Sequence, residues 1–227
     1  MPALSRRAVV AMAIAASVAV AVPMTMAATT GGSNSYPADK MTVSGAAFDV
    51  SAPGESVKLL EAHLRTSSTE DLILNASAEC DILTQLHNEG NSLDTEKAFA
   101  QVKFYVKIDG ATVPVSADDV TDPTTGAEQG KVVFCNREHD ATSTFDNAQE
   151  FYETYLDTRS ANSFQWVALN VGNGVHDIQL WADFTATVSG VNMTKDMAKA
   201  AVGKRTLVVE PTKAAHNEVV DSGISGG

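Results

Sequence analysis

The sequence predicts an all-β fold, a two-sheet antiparallel β-sandwich of which the jelly roll is one form. Three observations carry that expectation. Apolar and polar residues alternate with period two along much of the chain. Asp-Gly and Asn-Gly dipeptides separate alternating runs. About 200 residues remain once an N-terminal export signal is set aside, enough for one full core.

That signal comes first in chain order. Ser5-Arg6-Arg7 forms a basic patch ahead of Ala8–Val22, which is apolar except for Ser17. Pro23, Met24, Thr25, Met26 and Ala27 follow, with Ala28 behind them. A charged start, a short apolar run and a small-residue cleavage site read as a secretory signal over residues 1–27. The apolar run is short for a membrane span. Ser5–Val10 matches only part of a twin-arginine export motif, so an ordinary secretory route is expected and twin-arginine export is the alternative. The working protein is therefore expected to be secreted or held at a cell surface, with no membrane insertion after signal removal.

Residues 28–40 read as a flexible polar leader, 41–211 as the sandwich, and 212–227 as a loose tail. Strands are expected near 41–50, 57–66, 71–84, 98–108, 111–116, 130–137, 151–157, 163–171, 175–188 and 204–210. Leu72, Leu74, Ala76, Ala78 and Cys80 share one face of their run, against Asn75, Ser77, Glu79 and Asp81. Val102, Phe104, Val106 and Ile108 alternate with Lys103 and Lys107 in the same way. Asp109-Gly110 predicts a hairpin joining 98–108 to 111–116. Asn173-Gly174 predicts a second, pairing 163–171 with 175–188. The polar segment Asn88–Lys97 suits a loop or short helix. Val191–Val202 suits one or two helical turns or a bent connection.

The chain carries 28 acidic and 16 basic residues, a formal charge of −12. Such a surface disfavours nucleic acid and anionic lipid as partners. Cys80 and Cys135 are the two cysteines. An even pair in an exported chain predicts a disulfide, worth roughly 4–5 kcal/mol on the chain-entropy model. Both are expected to point inward between the sheets.

Candidate sites are sparse. Asp118, Asp119 and Asp122 lie in the longest polar insertion and are the best candidates for a calcium site, with backbone carbonyls and distant carboxylates such as Glu128 needed to complete its shell; a solvated acidic loop is the alternative. No other cofactor is implied. Trp181 lies on the polar alternation of its strand, beside Asp177, Gln179 and Asp183, where an amphipathic ring suits sugar stacking or a protein contact. Tyr152 and Tyr155 are candidates to extend that patch. Phe164, Trp166 and Ala168 form a stripe expected in the core. His63 lies on a polar face and His176 at the core edge. Glu138-His139-Asp140 joins a histidine to two carboxylates, but neighbours on a strand point opposite ways. Gly-x-Ser-x-Gly is absent from the sequence. Asn75-Ala-Ser77 and Asn192-Met-Thr194 are sequons.

Three function classes are compatible with these features. The first is a non-catalytic surface module with a structural, adhesive or filament-assembly role, its partner a protein or a copy of itself. The second is a carbohydrate-binding module. The third is an extracellular β-sandwich hydrolase. The first fits best, because regular amphipathic strands occur without a cluster of acid, base and nucleophile. The strand at 41–50, following the loose leader, is the element best placed to be lent to a neighbour.

Overall fold

The computed structural model describes residues 38–89, 93–115, 129–147, 149–191 and 195–213. Nine strands lie within them: β1 (Thr42–Ala46), β2 (Ser56–Thr66), β3 (Glu70–Glu89), β4 (Leu93–Ile108), β5 (Ala111–Thr112), β6 (Val132–Thr144), β7 (Phe151–Val171), β8 (Gly174–Gly190) and β9 (Met197–Thr212). Among the described residues there is no α-helix. The signal segment, Asp118, Asp119, Asp122, Asn192, His216 and the tail beyond residue 213 lie outside the described residues.

Pairing is antiparallel throughout and nested. β1 pairs β9, β2 pairs β8, β3 pairs β7, and β4 pairs β6. The chain is thus a long hairpin folded over on itself. Two further ladders, β3 with β9 and β4 with β8, join the nested pairs into sheets ordered β1-β9-β3-β7 and β2-β8-β4-β6. That order is the jelly roll. β5 adds two residues beside the end of β4.

The strands are long. β3 has 20 residues and so runs about 65 Å. Its inward row, Leu72, Leu74, Ala76, Ala78, Cys80, Ile82, Thr84, Leu86 and Asn88, is buried. Facing rows come from β4 (Ala98, Ala100, Val102, Phe104, Val106) and β8 (Ile178, Leu180, Ala182, Phe184). Trp166 fills the space between them and donates its indole N–H to the Gly130 carbonyl at 2.9 Å. Gly130 has φ +68, and a Cβ there would lie 2.1 Å from the Val113 carbonyl oxygen, so only glycine fits.

Four bulges change which residues face inward, one of them on β7 between Ala168 and Val171, where Asn170 has φ +55. On β9, Val202 pairs Cys80 and Arg205 pairs Ala78, so the inward row shifts from Ala200 and Val202 to Arg205, Leu207 and Val209. On β2, a bulge at Leu59 buries Leu59 and Leu60 together. On β6, a bulge at Phe134 lets that ring stack on Phe104 at 4.1 Å while its neighbour Cys135 also turns inward. Arg205, carried inward by its bulge, donates to the carbonyls of Phe48 (2.7 Å) and Gly203 (2.9 Å). Burial lowers its pKa, opposed by the nearby Asp49 carboxylate.

Several expectations are corrected. Residues 163–171 do not pair with 175–188; β7 pairs β3 in one sheet and β8 pairs β2 and β4 in the other. Both segments carry an apolar row, and these rows belong to opposite sheets of the core instead of lying side by side in one. The turn at Gly172–Gly174 is therefore an arch between sheets. The expected strands at 151–157 and 163–171 are one unbroken strand. Asn88–Lys97 contributes the end of β3 and the start of β4, and β9 starts at Met197, inside the stretch expected to be helical or bent. The strand beyond Asp109-Gly110 extends only to Thr112, with one more hydrogen bond from the Val113 N–H to the Val106 carbonyl at 2.9 Å.

Cys80 and Cys135 form the expected disulfide, with Cα atoms 6.4 Å apart. It joins the centre of one sheet to the edge of the other. A protein carrying Cys80→Ala and Cys135→Ala is expected to lose about 2–5 kcal/mol of unfolding free energy. Denaturant melts of the two forms check this, with the β circular dichroism spectrum retained in both.

Candidate functional site

One end of the sandwich is closed by a hydrogen-bonded cluster that pattern reading could not assemble. Asp109 sits in the β4–β5 turn at φ +52, a left-handed conformation that Asp tolerates. Its Oδ2 lies 2.7 Å from His176 Nδ1, and its Oδ1 accepts from the Asp177 backbone N–H at 2.9 Å. His176 Nε2 faces the Gly172 carbonyl at 2.9 Å and Thr66 Oγ1 at 3.2 Å. Hydroxyl, imidazole and carboxylate thus stand in the order of a nucleophilic triad. The hydroxyl is already committed: Thr66 is 1% exposed, donates to the Gly172 carbonyl at 2.6 Å, and accepts from the Gly174 N–H at 3.1 Å. The arrangement ties the end of β2, the β4–β5 turn and the β7–β8 arch together.

Burial would raise the Asp109 pKa. The hydrogen bonds from His176 and the Asp177 N–H outweigh it and leave the carboxyl below its ordinary 3.8. A depressed folded pKa contributes stability above the unfolded value and loses it as pH falls through the folded one.

The outer face of the second sheet holds Trp181, as the alternation predicts. Its ring stacks on Tyr105 with centroids 6.3 Å apart, and Lys107 Nζ lies 4.8 Å from its centre. Lys131 lies 5.3 Å from the Tyr105 ring and pairs with Asp183 at 2.6 Å. Desolvation raises the Tyr105 pKa. The indole N–H of Trp181 is engaged by Gln179 Oε1 at 2.9 Å. Tyr152 and Tyr155 are on β7, in the other sheet, so they do not extend this patch. They also fall on opposite faces of their own strand.

Tyr152 instead lines an open cleft of about 500 Å³ with His139, Ala141, Ser143 and Phe145. The cleft lies along the edge where β6 faces β7. His139 Nδ1, Ser143 Oγ, Thr154 Oγ1 and Thr84 Oγ1 are shielded polar atoms without a hydrogen-bond partner among the described residues. This end of the sandwich interior is polar, and the cleft is wide enough to admit water to it. Within Glu138-His139-Asp140, only His139 turns inward, as strand geometry requires. Asn75 lies within β3, paired to both neighbours.

β7 is an edge strand, paired among the described residues with β3 alone. Phe151, Tyr155, Val167 and Leu169 are exposed on its outer face. From Leu72 to Glu89 its ladder with β3 runs without a bulge.

These features define a disulfide-linked, two-sheet jelly-roll sandwich. No protein-family profile and no curated protein matches the chain. Among solved structures, 82% of the chain aligns with a chain in the structure of infectious bursal disease virus Gx strain, at 8% identity and a TM-score of 0.13. The alignment spans 46% of that viral chain, and likeness at this level carries no argument about function.

Asp109→Asn is expected to cost about 1.5–3 kcal/mol at neutral pH, the range for a hydrogen bond to a charged group. The gap to wild type should close as pH falls below 3.8, the ordinary value of the Asp109 carboxyl. Denaturant melts across pH 2–7 test both parts.

Proposed function

We propose that the protein is an exported, non-catalytic structural or adhesive module that acts by pairing with a second copy of itself through the open edge of β7. The signal-like N-terminus and a disulfide suited to an oxidising compartment support export. The edge of β7 carries the assembly reading.

Soluble proteins protect sheet edges with charges, proline, bulges or short strands. The other three edges follow that rule. β1 has five residues. β2 has a bulge together with Lys58, Glu61 and Arg65. β6 has a bulge together with Arg137, Glu138 and Asp140. β7 also has a bulge, between Ala168 and Val171, but it differs in that Ser160–Val171 carries no charged residue, proline or glycine. Val167 and Leu169 on this segment are 46% and 45% exposed. Antiparallel pairing of Ser160–Ala168 with itself about Phe164 keeps like faces together and sets no charge against a like charge. The unpaired backbone groups supply the hydrogen bonds of such a contact, and the alternating side chains set its register.

Sedimentation velocity at increasing protein concentration tests this reading. The wild type should show a concentration-dependent rise in size. Val167→Lys with Leu169→Lys should abolish it and leave the melting temperature within a few degrees, because both side chains already face outward. A protein that stays monomeric at every concentration, or one whose association survives the two lysines, would contradict the proposal.

A further inference from the structure

The outer face of β2 and β8 carries a second cluster, independent of the β7 edge. Glu61 and His63 are two apart on β2, so both point outward. The register sets His63 directly opposite Asp177 on β8. One ligand atom from each of the three side chains lies within 4.8 Å of the others, and His63 Nδ1 is 3.8 Å from Asp177 Oδ1.

The carboxylate of Asp177 is held in place from behind. Trp181 Nε1–H donates to Gln179 Oε1 at 2.9 Å, and Gln179 Nε2–H donates to Asp177 Oδ2 at 2.6 Å. Such a chain of supporting hydrogen bonds orients a ligand carboxylate. The other oxygen, Oδ1, is shielded from solvent, lacks a hydrogen-bond donor among the described residues, and faces His63. Glu61 also comes within hydrogen-bond reach of Asp177. Two carboxylates meeting across neighbouring strands repel unless a cation or proton sits between them. Lys58 supplies part of that charge by pairing with Glu61.

We propose that Glu61, His63 and Asp177 bind a divalent transition-metal ion of the zinc class on the outer face of this sheet. One imidazole nitrogen with two carboxylate oxygens suits zinc, whereas calcium takes six to eight oxygens. Tetrahedral bonds of about 2.0 Å need ligand atoms about 3.3 Å apart, so the three side chains close in by small rotations. His63 is free to make that rotation, being 65% exposed in its side chain. Metal and Lys58 compete for Glu61. Trp181, through Gln179, acts as a positioning residue for the site.

Calorimetric titration of the mature chain with zinc chloride is the test, with circular dichroism melts of every variant to confirm the fold. One saturable site is expected. His63→Ala and Asp177→Asn should each weaken binding by at least about tenfold. Lys58→Ala should strengthen it by up to about fivefold, the equilibrium worth of a surface ion pair. That opposite sign is what a merely structural role would not produce. Absence of saturable binding, or binding that His63→Ala leaves unchanged because zinc sits on another histidine, would overturn the proposal.

Discussion

The nested pairing of β1 with β9, β2 with β8, β3 with β7 and β4 with β6 is the constraint on which the rest of the structure depends. Once the chain is folded as one long antiparallel hairpin, β3 and β4 become the inner strands of opposite sheets, each with a partner on both sides. Their inward rows must then cover each other, and the hydrophobic effect supplies the drive. Everything placed at a sheet edge, including β7, is there because the nesting leaves it there. The same nesting explains why β7 and β8 are adjacent in sequence yet in different sheets. The cluster of Thr66, Asp109 and His176 fastens the arch that this requires.

The core and the outer faces divide the work. Apolar rows around Trp166, Phe104 and Leu180 stabilise one half of the interior, and the disulfide locks its middle. Beyond the disulfide the interior turns polar, with Thr84, Asn88, Asp94 and Glu96 buried. Buried polar groups are costly unless they are hydrogen-bonded. Asn88 donates to the Asp94 and Ala141 carbonyls, and Glu96 accepts from the Val191 N–H, so this end depends on hydrogen bonding more than on apolar contact.

Much of this was legible in the sequence, and the gaps have physical causes. Period-two alternation in Leu72–Cys80 and Val102–Ile108 marks strands because one face is dry and the other wet. The inward place of Cys80 and Trp166 and the outward place of Trp181 follow from parity alone. Parity fails at bulges: the β9 bulge between Val202 and Arg205 flips the inward face, so Ala198–Val209 shows no clean alternation. β7 hid its continuity because Asp157–Asn162, exposed throughout, carries no apolar signal. The histidine–carboxylate clusters required register. Glu61 and His63 share a face by their spacing, but Asp177 joins them only through the β2–β8 pairing. Thr66 meets His176 across 110 residues of chain, beyond any local pattern.

The central claim is that the β7 edge exists to be paired. Backbone amide hydrogen exchange, followed by mass spectrometry at low and high protein concentration, tests it most directly. The account predicts that protection of peptides covering Ser160–Val171 rises with concentration while peptides from β1, β2 and β6 are unchanged. Exchange in that segment that is the same at both concentrations, or protection that rises at another edge instead, would contradict it.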